Sequence, residues 1–526
     1  MTMQTKKKLN AIDLYSGIGG WSIGLLMNNI NIVQSFEWWE PAVKTANLNL
    51  GKNDEPIDIR TYDFKKIPKG IDIVVGSPPC TQFSYSNRGG SGDIEDGIID
   101  LYKFFECISI VKPKFWAMEN VPRVKNVLEE QIKKGGQLYK FRKIISSGFV
   151  EVLDFSEFGL PQKRKRCIAS NIDLELLNSY KVKIKTKTLG EVISSFRSPI
   201  IQDINYKNTF KKIEINDREA EEPLNINEER MNREMKVNHP VYNNMSFPEN
   251  LDKPSRTITA TCTRVSRESL VIKAKGGYRR LSVRERGCLQ GFPLSYQFHG
   301  GSHAQKLKMI GNAIPPVMTF YLASAMKQKS VKQLSTLDKL SYPIKNKCLS
   351  LKTKPDSASA RFRSNRAFRY ALPFLRFKSG TRFELSNKSS DFRFNFFYGD
   401  SKNIKSIDLN KQLSKRCENF IRNYEEELSN EIVNKILKPA YKLHSNKLQL
   451  AWVEQTNNHN PFDYLDRINL LSEEVHDKLL DIDEEAIQAF VLKIFKLNCS
   501  TKIKEHARRI TIGFLVLSLL NQSADN

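Results

Sequence analysis

The chain has 526 residues, with 83 Lys+Arg against 58 Asp+Glu and a formal charge of +25. That length allows several domains and a large core, and the charge points to a polyanionic partner, nucleic acid before acidic membrane. With 27% charged and 40% hydrophobic residues, the composition is that of a soluble globular protein and excludes a disordered or membrane-embedded chain.

Ala11–Ser16 (AIDLYS) predicts a first strand, followed by a turn carrying Gly17, Gly19, Gly20 and Gly24 and then an apolar helical pattern. Such a turn lets backbone N–H groups approach a ligand at a helix N-terminus. Ile30–Phe36 predicts a second strand ending at Glu37. An acid about 20 residues beyond the glycine turn suits hydrogen bonding to a ribose. Trp38 follows, placed to pack on an adenine ring. Ile57–Tyr62 predicts a third strand, with Asp63 at its end to accept from an exocyclic amine. The glycines fit neither G-x-G-x-x-G nor a phosphate-cradling loop. That favours a nucleoside without pyrophosphate, with S-adenosylmethionine as the candidate. A structural turn with no nucleotide is the alternative.

Ile71–Ser84 (IDIVVGSPPCTQFS) reads as a buried parallel strand cut short by Pro78 and Pro79. Cys80 then sits at the carboxyl end of a strand, the edge where open α/β sheets bind ligands. A thiolate there would be a strong nucleophile, although most free cysteines are buried and inert. Tyr85–Gly97 (YSNRGGSGDIEDG) is polar and glycine-rich, a candidate lid. Ile98–Val111 predicts a helix, Phe115–Met118 a strand leading to Glu119, and Phe149–Phe155 and Cys167–Ser170 two more strands. Between the last two lies a basic run, Lys163–Arg166. It reads either as a solvated turn or as a guanidinium aimed at an anion or a base carbonyl.

DLYSGIGG (13–20), Glu37-Trp38, GSPPCTQFS (76–84), ENV (119–121), QKRKR (162–166), RRLSVRERGCLQGFP (279–293) and GNAIPP (311–316) occur in that order. In this the chain resembles the DNA (cytosine-5) methyltransferase family, across most of residues 10–326. The resemblance implies an α/β fold: a Rossmann-like, S-adenosylmethionine-dependent methyltransferase sheet with a smaller target-recognition domain. It implies that Cys80 attacks C6 of a flipped-out cytosine in duplex DNA. Glu119 would engage N3, and Arg166, supported by Arg164, the O2 oxygen. Tyr15 would face the adenine, and Gly17, Gly19 and Gly20 the methionine moiety. Glu37 would hold the ribose, Trp38 the adenine edge and Asp63 the adenine amine, with Pro79 and Asn312 completing the cofactor contacts. Ser84, Arg88, Arg264 and Arg267 are the candidate DNA contacts.

The expected organisation is a catalytic domain at 8–171, a target-recognition region at 172–277, a returning segment at 278–329, a linker at 330–358 and a C-terminal extension at 359–526. The returning segment would lay a helix, Gln305–Met326, beside the first strand. Residues 172–275 read as polar and irregular. Within them, residues 214–236 read as charge-dense surface and Pro254–Arg264 as strand-like alternation. The extension interleaves Arg and Phe over Ala360–Phe397, then shows helical patterns at Leu409–Leu437, Glu484–Leu497 and Glu505–Leu520. It is expected to be α+β or mostly helical. No nuclease signature is legible in it, although Asp356, Glu384 and Lys388 are of the residue types one would use.

The 8 cysteines form no C-x-x-C pair and no cluster with histidine, so neither zinc nor a disulfide framework is expected. No secretory signal is read, and no apolar run reaches about 18 residues. A cytoplasmic monomer with reduced thiols follows. Its partners would be double-stranded DNA and a cognate restriction endonuclease that acts on the same site without stable binding. Two rivals stand: a tRNA cytosine methyltransferase on the same fold, and a catalytically idle DNA-binding protein.

Overall fold

The sheet that carries the first five motifs is built in the order β2-β1-β3-β4-β6-β5. Its strands are β1 (Asn10–Leu14), β2 (Asn31–Phe36), β3 (Ile73–Gly76), β4 (Phe115–Asn120), β5 (Phe149–Asp154) and β6 (Lys165–Ser170). This computed structural model describes residues 8–80, 83, 94–236, 245–343, 348–357, 369–376, 382–388, 391–398, 405–409, 461–480, 483–495 and 506–522. The chain clusters into two units, one ending at 358 and the other running from 359.

In the first unit β1 pairs in parallel with β2 and β3, and β3 with β4, while β6 runs antiparallel to both β4 and β5. The sheet is therefore α/β and mixed. One reversed strand has a direct consequence: the start of β6 lies at the edge where β1 to β4 finish, with Asn120 opposite Cys167. The central strands are buried along their whole length, as their β-branched and aromatic runs require. Helix α1 (Gly20–Met27) follows the glycine turn, α2 (Glu40–Leu50) follows β2, and α3 (Ile94–Val111) packs Leu101, Phe104 and Phe105 into the core under β3 and β4.

Several expectations are corrected. Ile57–Tyr62 forms no strand but consecutive turns, closed by Thr61 N–H to Asp58 C=O at 3.3 Å. Pro254–Arg264 alternates in sequence yet is irregular, with one isolated bridge, Ser255 to Gln162, in place of a strand ladder. The returning segment forms two helices, His303–Asn312 and Pro316–Met326. The second packs against α1 rather than β1, so closely that a Cβ on Gly24 would stand 2.2 Å from Thr319 Oγ1.

Residues 172–275 are less irregular than their polarity suggests, with helices at Leu174–Ser179 and Leu189–Ser195 and strands at Ile200–Gln202 and Thr209–Lys211. Within the charge-dense run, Ile226–Lys236 is a helix that buries Glu228, Asn232 and Lys236, one face at four-residue spacing. The stretch 330–343 is no free linker, because Leu334, Leu337 and Tyr342 are buried and join the core of the first unit.

The second unit holds a four-stranded antiparallel sheet of Arg369–Arg376, Arg382–Lys388, Asp391–Tyr398 and Lys405–Leu409 in sequential order. Phe383, Leu385, Phe392, Phe394 and Phe396 point to its buried face. Helices Pro461–Lys478, Glu484–Phe495 and Ala507–Gln522 accompany it. Gly513 of the last helix lies directly against the Phe383 ring. The pattern at Leu409–Leu437 lies, beyond its first residue, outside the described residues.

Candidate functional site

Three strand ends and one strand beginning meet at the carboxyl edge of the sheet. Directly after β3, Pro78 and Pro79 deny the chain two N–H donors, and Cys80 emerges half-buried. Asn120, at the end of β4, donates from Nδ2 to the Pro78 carbonyl at 3.0 Å, and Trp21 donates from Nε1 to Ser77 Oγ at 3.0 Å. The turn before the thiol is thus held from β4 on one side and from α1 on the other. Glu119 is buried one residue earlier on β4, and its Oε1 lies 3.0 Å from Nε of Arg166 at the start of β6.

Cys80 senses these groups. Burial pushes its thiol up, Arg166 pulls it down, Glu119 pushes it up again and Arg164 opposes that. The net direction is upward, so the free protein holds a thiol that needs help to ionise. Arg164 does not reach into the site. It is wholly interior, donating from Nη1 to the Ile258 carbonyl at 3.1 Å and from Nη2 to the carbonyls of Gly311 and Ala313 at 3.1 and 3.3 Å. It ties the beginning of β6 to two segments that come much later in the chain.

Beside this cluster lies a cavity of about 400 Å³ lined by Tyr15, Glu37, Trp38, Ile57, Asp58, Ile59, Arg60, Pro79, Asp96 and Asp100. Glu37 accepts from the Gly17 N–H at 2.9 Å and the Trp39 N–H at 2.8 Å, one on each oxygen. Each oxygen keeps a lone pair for a hydroxyl. Burial pushes this carboxyl up, against the pull of those N–H groups. Trp38 is 67% exposed at the cavity wall, an aromatic face with space before it. Tyr15 donates its hydroxyl to the Asp100 carboxylate at 3.2 Å.

The sequence-based assignments divide. Tyr15, Glu37, Trp38 and Pro79 line the cavity, and Gly17 meets it through Glu37. Gly19 and Gly20 shape the turn into α1 without appearing in the lining. Asp63 is corrected: it is exposed and caps a short 3-10 turn by accepting from the Lys65 N–H at 3.0 Å. Asp58, five residues earlier, takes the place at the cavity. Asn312 is exposed at the end of its helix and is not among the lining residues.

Arg264 is corrected as well. It is buried, with Nε 2.7 Å from Glu228 and Nη1 3.2 Å from Glu221, so its charge is neutralised inside the protein and cannot grip DNA. Arg267 is partly buried, with Nε 3.4 Å from Met245 Sδ. Ser84 and Arg88 lie outside the described residues. Asp58, Arg60, Asp96 and Asp100 were missed by sequence reasoning. The one available signal was the Ile-Asp-Ile pattern of Ile57–Ile59, which was read as part of a strand.

Among the described residues no group of His, Cys, Asp and Glu could hold a metal ion, and no helix is long and apolar enough to cross a membrane. Residues 9–328 match the model of the C-5 cytosine-specific DNA methylase family. The type II methyltransferase M.HindV of Haemophilus influenzae is 27% identical over 333 residues, covering 60% of this chain and 96% of that protein. The type II methyltransferase M.HgiDI of Herpetosiphon aurantiacus is 25% identical over 346 residues, covering 62% and 99%. The solved structure of the Entamoeba histolytica methyltransferase EhMeth aligns with a TM-score of 0.43 at 16% identity, covering 61% of this chain and 99% of that one. The family match takes in more than half of the chain and every strand of the mixed sheet, and the protein belongs to the C-5 cytosine-specific DNA methylase family.

Proposed function

We propose that the protein methylates C5 of a cytosine within a specific duplex sequence, with Cys80 as the nucleophile and S-adenosylmethionine as the donor. One observation carries this reading. Pro79 lines the cavity, and the next residue is the thiol that faces Glu119 and Arg166. A donor site and a nucleophile one residue apart are what a transfer to a base held at Cys80 requires.

The cavity suits that donor on its own chemistry. Glu37 has hydroxyl-accepting capacity left, Trp38 offers a ring face, and four carboxylates (Glu37, Asp58, Asp96 and Asp100) face one guanidinium, Arg60. Such a wall favours a ligand bearing a sulfonium and an ammonium. When bound there, the donor supplies the methyl group.

The protein's own groups do the rest. The Cys80 thiolate adds to C6, forming a C–S bond and moving electrons toward N3, where Glu119 holds the proton or hydrogen bond that makes the attack feasible. Arg166 balances charge that develops at the exocyclic O2 carbonyl oxygen. C5, made nucleophilic by that addition, takes the methyl group as the methyl–sulfur bond of the donor breaks to leave a thioether, and loss of the C5 proton to a base then breaks the C–S bond and frees Cys80. The target base must leave the duplex to reach this edge. We assign target reading to 172–277, and the +25 charge supports phosphate contact. Relatives that are type II methyltransferases support a role as the modification partner of a nuclease of the same specificity.

Transfer of tritium from methyl-labelled donor to duplex DNA or to tRNA, with Cys80→Ser as control, tests the reading. Label in DNA that is lost with Cys80→Ser supports it. Label in tRNA alone overturns the DNA assignment, and no label in either overturns the enzyme assignment. Bisulfite sequencing of a host expressing the protein then gives the target site.

A further inference from the structure

Part of the wall of the donor cavity is made from a stretch that is neither helix nor strand. Ile57–Tyr62 is fixed in the main chain by Ile57 N–H to Glu37 C=O at 2.8 Å and by two long turn bonds of 3.3 Å. Ile59 is buried in the core and Tyr62 meets the Phe36 ring edge-on at 4.9 Å, but the polar tie to α3 is made by Arg60. Its guanidinium donates from Nε to Asp100 Oδ1 at 3.0 Å and from Nη2 to Asp100 Oδ2 at 2.7 Å. It also donates from Nη1 to Asp96 Oδ1 at 2.8 Å and from Nη2 to the Asp96 carbonyl at 3.2 Å. Arg60, Asp96 and Asp100 all line the cavity.

We propose that Arg60 is a positioning residue for the methyl donor: a fork that straps the 57–62 turn to α3 and holds the cavity wall in the shape the donor needs. The proposal rests on the donor-site reading above. Two details carry it beyond a surface ion pair. First, the strap fixes groups on both sides of the cavity. The Arg60 N–H donates to Asp58 Oδ1 at 2.9 Å, setting the carboxylate that faces the space, and the Asp100 carboxylate that takes the fork also takes the Tyr15 hydroxyl. Moving Arg60 therefore moves Asp58, Ile59 and Tyr15 together.

Second, among the described residues of the lining the guanidinium is the only cation, set against four carboxylates. Without it Asp96 and Asp100, one helical turn apart on α3, would repel each other across the gap the turn now fills. Lysine would keep the charge but not the fork, since an ammonium cannot pair both oxygens of Asp100 while reaching Asp96 in a fixed plane.

The test uses the full-length chain and titrates S-adenosylhomocysteine by calorimetry, alongside steady-state kinetics in donor and in DNA. Arg60→Met should weaken binding by about tenfold, the order expected for losing a bidentate charge-assisted contact. The loss should appear in KM for the donor and not in KM for DNA. Arg60→Lys should stay several-fold weaker than wild type. Asp96→Asn, which takes the charge from one arm and leaves the Asp100 fork, should raise KM for the donor by a few-fold with KM for DNA unchanged, and it carries the test if Arg60→Met does not fold, unchanged donor KM then overturning the proposal.

Unchanged affinity in Arg60→Met, full recovery in Arg60→Lys, or equal losses in both substrates' KM and in kcat would overturn the positioning role. A wild-type chain that binds no S-adenosylhomocysteine would instead overturn the donor site itself.

Discussion

Arg166 Nε and Glu119 Oε1 lie 3.0 Å apart, on strands that run in opposite directions, with both side chains largely withdrawn from water. The pair places one charge of each sign beside Cys80, and the two act on its thiol in opposite senses. Glu119→Gln removes a neighbour that pushes the thiol up, so Cys80 should ionise at lower pH than in the wild type. Arg166→Met removes one that pulls it down, so ionisation should need higher pH. Iodoacetamide alkylation of Cys80, followed by mass spectrometry across pH, reads both shifts. Both variants should lose turnover, Glu119→Gln by about two to four orders of magnitude if it acts as the acid. Arg166→Met should also lower stability, by about 3 kcal/mol or more, because it leaves a buried carboxylate unpaired. Shifts of the same sign in the two variants would refute this electrostatic account.

Arg164 makes a different prediction from its neighbour. Its three carbonyl partners belong to Ile258, Gly311 and Ala313. Arg164→Met would take this donor from the carbonyls of Ile258 and Gly311, each loss costing about 1–3 kcal/mol, while Ala313 would keep Gln290 Nε2. The urea midpoint should fall strongly, and Arg164→Lys should recover only part, since one ammonium cannot span all three. Wild-type stability in Arg164→Met would show that the clamp is replaceable.

The contrast between these residues explains what the sequence could disclose. The position of Cys80 just beyond β3 was legible because its signal is local: an apolar run cut off by two prolines within ten residues. That of Glu119 at the end of β4 was legible from the apolar run before it. The reversed direction of β6 was not, because strand orientation is set by partners rather than by composition. Asp58 and Asp63 look alike in sequence. The first lies at the cavity in a turn tied to Glu37, to the core through Ile59, and through Arg60 to Asp100, 40 residues away. Arg264 looked like a phosphate grip because basic residues in polar stretches are usually solvated. Its partner Glu221 lies 43 residues upstream and encloses it. Leu334, Leu337 and Tyr342 were hidden among lysines that made 330–358 read as a linker.

Gly24 sets two magnitudes against each other. In an exposed helix, alanine would be favoured over glycine by about 1 kcal/mol. At this position a Cβ would stand 2.2 Å from Thr319 Oγ1 and 2.4 Å from the Thr319 carbonyl carbon. The second atom is backbone, so the helix Pro316–Met326 would have to withdraw. Overpacking of that kind costs about 1–3 kcal/mol, and the contact wins. Gly24→Ala should lower the thermal midpoint, and Gly24→Val should lower it further. A rise in midpoint for Gly24→Ala would mean the two helices separate freely.

Asp13 should make stability fall as pH rises. It is completely buried at the end of β1, where its Oδ2 accepts from Ser22 Oγ at 2.8 Å and its Oδ1 has no partner. Burial pushes its carboxyl up to about 7, against the weaker pulls of Ser22 and Lys52. In the unfolded chain it would titrate near the ordinary value of about 4. The folded state therefore holds the extra proton between those two values, and stability declines through that window as pH rises. A shift of about three units corresponds to roughly 4 kcal/mol at the upper end. Asp203, pushed up to about 6 by burial, acts in the same direction, so the test is the difference between two proteins. Denaturant unfolding at pH 5 and pH 7 should show a smaller loss in Asp13→Asn than in the wild type. An amide can still accept from Ser22 but carries no charge to desolvate. Equal losses in the two proteins would mean that Asp13 ionises without penalty, with Lys52 drawn in to pair it.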